Sequence, residues 1–144
     1  MLTEILGKKL LLCDGAMGTL LYSRYVAPGA CCELANIDAP GVVSAIHREY
    51  IRAGARMIET NTFGPNRNRL LHYGLQDRVL EINRSGALLA RQVAGTDILV
   101  AGSMGPLGRW IGEPPDDAQQ SRIFAEQAAV LAQHGVDLLI LETF

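Results

Sequence analysis

The chain has 144 residues, of which 49% are hydrophobic and 19% charged, with a net charge of −2. That composition builds a core, and its near-neutral balance carries no electrostatic footprint for nucleic acid or an anionic membrane surface. No apolar run approaches the roughly 20 residues of a membrane-spanning helix, and three cysteines, an odd number, do not make a disulfide framework.

The first stretch, MLTEILGKKLLLCDG, places Glu4 ahead of its lysines and lacks a small-residue cleavage pattern, so it does not read as a signal peptide. The cytoplasm is the default location. Within it, Leu10–Cys13 reads as a first strand ending at Asp14. Asp38 and Pro40 then open a helix, Asp as N-cap and Pro in the first turn. Val43, Ile46 and Tyr50 recur at helical spacing before Gly54 closes it. Met57–Ile58 starts a second strand whose polar end falls at Asn61. A short helical piece from Asn66 to Tyr73 stops at Gly74. Val79, Ile82, Leu89 and Val93 share one face of a longer helix, interrupted by Gly86 and closed by Gly95. Ile98–Ala101 is a third strand, with Ser103 at its end. Asp116 or Asp117 caps a helix with Ile123, Phe124, Ala128 and Leu131 on its apolar face, and Gly135 stops it. Leu138–Leu141 is a fourth strand, ending at Glu142.

Strands alternating with helices predict a parallel sheet with right-handed crossovers. The polar strand ends recur at roughly forty-residue intervals, but the helical segments between them exclude a propeller. A dinucleotide-binding sheet needs a G-x-G-x-x-G first turn. Here that turn reads DGAMG, with an acid where a pyrophosphate would lie. The expected fold is therefore a (β/α)8 TIM barrel. A whole barrel takes about 250 residues, so residues 1–144 are expected to be its N-terminal half, about four βα units, truncated after strand four.

In parallel α/β folds ligands bind beyond the carboxyl ends of the strands. Asp14, Asn61, Ser103 and Glu142 are thus expected to face one site; the bland alternative is that they only satisfy strand-end backbone groups. Two carboxylates on one pocket can hold an ammonium group, hold a metal, or share acid–base work. Exposed N–H groups at Gly15 and Ala16 suit a carboxylate. Together they fit an α-amino acid. His47, His72 and His134 fall in helices and read as surface or packing residues, Arg67 and Arg69 as a solvated basic face, and Cys13 as a small buried hydrophobe.

Four ordered segments carry a family resemblance: DGAMGTLL at Asp14–Leu21, ELANIDAPGVVSAIHREYIRAGARMIETNTFGPN at Glu33–Asn66, GSMGPLG at Gly102–Gly108 and GVDLLILETF at Gly135–Phe144. The chain resembles the homocysteine S-methyltransferase family. TNTFGPN and GSMGPLG are similar to its bacterial branch, which includes the homocysteine module of cobalamin-dependent methionine synthase and the bifunctional enzymes fused to methylenetetrahydrofolate reductase. The resemblance implies a barrel in which zinc holds the homocysteine sulfur as a thiolate that attacks an activated methyl group to give methionine. It implies Asp14 and Glu142 on the homocysteine amino group, the backbone of Gly15 and Ala16 on its carboxylate, and Asn61 and Ser103 lining the pocket. The family's zinc ligands are three cysteines of the second half-barrel, expected beyond Phe144; Cys31-Cys32 lacks a third ligand and the glycine-rich strand end of the family pair. No catalytic residue is expected in this chain alone. The methyl donor, methylcobalamin or methyltetrahydrofolate, would come from another domain, and the partner would be the missing C-terminal half. The alternative is a half-barrel that only binds or dimerises.

Overall fold

A computed structural model of the chain describes residues 10–144; the stretch with Glu4 and both lysines lies outside them. In chain order the elements are helix α1 (Met17–Arg24), a short helix α2 (Ala35–Asp38), α3 (Pro40–Arg52), strand β1 (Met57–Glu59), α4 (Arg67–Leu71), α5 (Val79–Ala94), β2 (Leu99–Met104), α6 (Asp117–Gln133) and β3 (Leu138–Leu141). The sheet runs β1-β2-β3, all parallel, with Met57 opposite Leu99 and Ser103 opposite Ile140. Strands of successive βα units therefore lie side by side in sequence order, without the reversal of a doubly wound sheet.

The expected first strand is reduced to one parallel bridge, Cys13 to Met57. Around it Arg56 N–H donates to the Leu12 carbonyl at 2.8 Å and Asp14 N–H to the Met57 carbonyl at 3.0 Å. Cys13 is exposed rather than buried, because the described residues pack no wall against it. Even so, the bridge aligns Asp14 with the end of β1.

Both faces of the sheet are apolar, as a parallel sheet requires. Ile58 and Val100 pack with Ala90 and Ala94 of α5 on the helix side, while Met57, Leu99 and Ala101 meet Leu11, Leu138 and Ile140 on the other. β2 is buried along its whole length, whereas Leu141 of β3 is 66% exposed and Phe144 72%.

Local signals explain the helix limits. Pro40 sits in the first turn of α3, although Ala39 rather than Asp38 is its N-cap. Asp116 caps α6 in a reciprocal box with Gln119. Asn66 caps α4 by accepting from Arg69 N–H at 2.9 Å. Gly86 has a packing reason to interrupt the apolar stripe of α5. A Cβ there would come within 2.7 Å of Asn36 Nδ2 and 2.8 Å of Thr62 Cγ2, so only glycine lets the helix approach the loop after β1.

Candidate functional site

Beyond the carboxyl ends of the strands lies a pocket of about 490 Å³. Of the residues expected there, Asp14, Gly15, Ala16, Asn61, Ser103 and Glu142 all border it. Asp14 is held by the Glu59 N–H, which donates to its Oδ2 at 3.0 Å. Ser103 is the last residue but one of β2, and its Oγ donates to Glu142 Oε1 just past β3. Gly15 and Ala16 lead directly into α1, whose N-terminus has no side-chain cap, and Met17 and Gly18 of its first turn line the pocket too. Uncapped first-turn amides are a ready anion site.

Asn61 borders the pocket as expected, but it is not the end of its strand. β1 ends at Glu59, and the Asn61 side chain turns to the loop architecture, donating to the Cys32 carbonyl at 3.2 Å and to Asn36 Oδ1 at 3.0 Å. Asn36 returns the contact by donating to the Asn61 carbonyl at 2.8 Å. The polar cluster after β1 is thus largely scaffold. Ser103 N–H donates to Thr60 Oγ1 at 3.1 Å and Thr62 Oγ1 donates to the Ser103 carbonyl at 2.8 Å. Since Thr62 spends its proton there, Thr60 supplies the proton of the 2.5 Å bond between the two hydroxyls. These bonds lock the TNTFGPN loop to the end of β2.

Glu59 is the pocket carboxylate that strand-end counting missed. Alternation along β1 places it on the same face as Met57, so counting by twos from Met57 would have found it. Three carboxylates, Asp14, Glu59 and Glu142, consequently share one pocket. Burial pushes Asp14 up to about 6, with the Glu142 charge adding to it and the Glu59 N–H opposing it. Burial, then the charge and hydrogen bond of Glu142, then the charge of Asp14, push Glu59 up to about 7. Both shifts follow from crowding like charges away from water.

Arg69 corrects another expectation. It borders the pocket with its guanidinium 5.2 Å from the Phe63 ring centroid, so it is not part of a solvated basic face. Arg67 instead pairs with Glu126 at 2.6 Å. His47 is wholly buried, His72 Nε2 meets the Arg109 carbonyl and His134 Nδ1 the Val130 carbonyl; all three lie away from the pocket.

The cysteines do not fit a zinc centre. Cys31 is buried among Leu70, Val79 and Ile82, donates to Glu33 Oε2 at 3.4 Å, and is pushed up to about 12, chiefly by burial. Cys32 points the other way, to the pocket and the core under α1. Among the described residues no three His, Cys, Asp or Glu side chains are grouped to hold a metal ion.

Fold and pocket define a parallel α/β protein with an acidic pocket at its strand ends. No described helix is long and apolar enough to cross a membrane. Residues 11–144 match the family model for homocysteine S-methyltransferase, and the chain belongs to that family. The chain is 33% identical to a methionine synthase of Mycobacterium tuberculosis, with 99% of it covered but only 13% of that protein. It is 32% identical to the S-methylmethionine–homocysteine S-methyltransferase BHMT2 of Pongo abelii, covering 91% of this chain and 35% of that one. The metallated form of the homocysteine methyltransferase MmuM from Escherichia coli superposes with a TM-score of 0.82 at 25% identity, over 98% of this chain and 56% of the other. The chain thus spans little more than half the length of even this structural relative.

Proposed function

We propose that this chain is the amino-acid-binding half of a homocysteine S-methyltransferase barrel, residues 1–144 forming the first four βα units. The observation that carries the reading is the placing of Asp14 and Glu142, from two different strand ends, in one pocket with the uncapped start of α1. Carboxylates together with first-turn amides that no side chain caps are complementary to the ammonium and carboxylate of an α-amino acid. Asp14 and Glu142 take the homocysteine ammonium; the backbone from Gly15 and Ala16 into α1 takes its carboxylate; Ser103 orients Glu142, and Asn61 holds the pocket wall. This fixes the substrate at two points, so its thiol has a defined direction of approach to a methyl donor.

The residues of this chain bind and orient, while thiol activation belongs elsewhere. We assign zinc and its cysteine ligands to residues outside the chain, and methylcobalamin or methyltetrahydrofolate to a further domain. The half-barrel reading draws support from the sequential parallel order of the strands and from the exposure of Leu141 in β3 and of Phe144 beyond it, which the complementary half would cover. Near-equal identity to the methionine synthase and to BHMT2 leaves both donor classes in play, and similarity to TNTFGPN-type bacterial sequences favours the former.

Calorimetric titration of the chain with L-homocysteine tests the assignment. We expect measurable binding that Asp14→Asn and Glu142→Gln each weaken at least tenfold. Binding unaffected by both substitutions would overturn it. Size measurement of the same sample separates a monomer from a dimer that hides β3.

A further inference from the structure

Arg69 is the one cation among the described residues that line the pocket. Three arginines of the chain are part-buried: Arg69, Arg78 and Arg91. Arg78 holds Glu81 at 2.7 Å and Arg91 holds Asp137 at 2.6 Å. The Arg69 guanidinium makes no hydrogen bond or ion pair among the described residues; it lies over the Phe63 ring, 5.2 Å from its centroid. The carboxylate beside it is already engaged: Glu33 accepts from the Gly64 N–H at 2.8 Å with one oxygen and from the Cys31 thiol at 3.4 Å with the other.

This placement is built rather than incidental. Phe63 and Arg69 are both seated against glycines of the loop after β2. A Cβ on Gly105 would stand 2.5 Å from Phe63 Cε2, and one on Gly108 would stand 2.9 Å from Arg69 Cγ. Gly108 also has a φ of +83°, so it meets a conformational and a packing demand at once. Gly105 N–H donates to the Phe63 carbonyl at 2.8 Å. Asn68 Nδ2 donates to the Leu107 and Arg109 carbonyls at 2.8 and 2.9 Å, bolting α4 to the same loop. The stem of Arg69 is thus held in advance, and little side-chain freedom remains to be lost when a ligand arrives. A guanidinium with a fixed stem, an aromatic face against it and its donors unspent matches a planar anion.

We propose that Arg69, stacked on Phe63 and clamped by Gly108, is a carboxylate-binding residue of the pocket and makes it select zwitterions over simple cations. The inference deepens the amino-acid reading and rests on it for the ligand's cationic half. The acids take that half, and Arg69 takes a carboxylate with a full charge where the first-turn amides of α1 offer partial ones. A cation without a carboxylate leaves Arg69 unpaired, and that difference is the selectivity. The carboxylate belongs to the amino acid itself or to a second small molecule bound beside it. Recognition is the same in both cases, and the experiment separates them.

NMR of the arginine Nε–Hε groups of the full chain tests this, the Arg69 signal being assigned by its absence from Arg69→Lys. Sodium acetate is the probe for a carboxylate alone, and sodium chloride the control for ionic strength. We expect acetate to move the Arg69 signal saturably and chloride to leave it in place. No saturable shift with acetate, or an equal one with chloride, overturns the proposal. The same titration with the pocket saturated by L-methionine assigns the source. Loss of the acetate shift gives Arg69 to the carboxylate of the amino acid; persistence gives it to that of a second molecule. In the first case, calorimetry at pH 6 compares L-methionine with L-methioninamide, which keeps the ammonium and lacks the carboxylate. Arg69→Gln is expected to weaken L-methionine about tenfold and L-methioninamide hardly at all; equal losses overturn the assignment. If L-methionine fails to bind the parent chain while acetate still moves Arg69, the amino-acid reading falls and the carboxylate site stands. If L-methionine binds and neither ligand moves Arg69, the reverse holds. The acetate titration uses the parent chain, and circular dichroism of Arg69→Gln confirms that the calorimetry compares folded proteins.

Discussion

The Tyr50 hydroxyl donates to the Ala16 carbonyl at 3.0 Å, tying the last turn of α3 to the turn between Asp14 and α1. A Cβ on Gly15 would stand 3.1 Å from that same oxygen and 3.2 Å from Tyr50 Cε1. The phenol is therefore both a tether and a wall for the segment proposed to receive the substrate carboxylate. Tyr50→Phe removes the tether and keeps the wall. A hydrogen bond of this kind is worth about 1 kcal/mol net, so we expect roughly fivefold weaker amino-acid binding with the melting temperature nearly unchanged. Gly15→Ala pushes on the wall and is expected to weaken binding more. Calorimetry on both variants checks the order; equal affinities in all three proteins would remove Tyr50 from the site.

Gly86→Ala tests whether glycine in the apolar stripe of α5 is a packing requirement. On propensity alone the alanine would stabilise the helix by about 1 kcal/mol. The added Cβ meets Asn36 Nδ2 at 2.7 Å and Thr62 Cγ2 at 2.8 Å, and neither is the free end of a flexible chain: Asn36 is pinned by Asn61, and Thr62 by Ser103. Overpacking of this kind costs about 1–3 kcal/mol, so urea denaturation is expected to show net loss of stability. A gain would mean that the loop yields.

Such residues mark where sequence reading stops. Periodicity located α3, α5 and α6 because each buries one face, and the alternation of strand and helix predicted the parallel order. The strand ends Asp14, Ser103 and Glu142 were legible because each follows an apolar run. The end of β1 was set at Asn61 instead of Glu59, and Glu59 passed over, for one reason: the polar run ETNT does not show where pairing ends. β1 stops at Glu59 because Thr60 and Thr62 turn their hydroxyls to the end of β2, a partner more than forty residues away. Likewise nothing local distinguishes Arg69, facing the pocket, from Arg67, facing Glu126.

Thr62→Val separates scaffold from pocket. It leaves the carboxylates untouched, but strands the Ser103 carbonyl and breaks the link to Thr60. A buried polar group left unpaired costs about 1–3 kcal/mol. We expect that loss in denaturation midpoint, with amino-acid affinity changed less than threefold at a temperature where the chain is folded. A large affinity loss in a folded variant would show that Ser103 passes the strain on to Glu142.

Opposed titrations predict the acid stability of the chain. His47 is fully buried on α3 with neither ring nitrogen hydrogen-bonded, and burial, with Arg48 adding, lowers it to about 4 from 6.5. The unfolded chain therefore takes up a proton that the native one refuses. This group costs nothing above pH 6.5 and destabilises increasingly down to about pH 4, by about 3 kcal/mol at most. Asp14 and Glu59 have the reverse sign. Their native values are raised, so the folded chain holds protons that the unfolded chain has released. Their contribution is fully present below about pH 4 and lost as pH rises through 6 to 7. On acidification from neutrality the carboxyls gain stability while His47 loses it, and the parent chain is expected to show a shallow dependence between pH 7 and 5. Removing either side exposes the other. His47→Leu should become more stable as pH falls across that range, and Glu59→Gln less stable. Urea midpoints at pH 7, 6 and 5 read both slopes; parallel curves for the parent and both variants would mean that neither group titrates differently on folding.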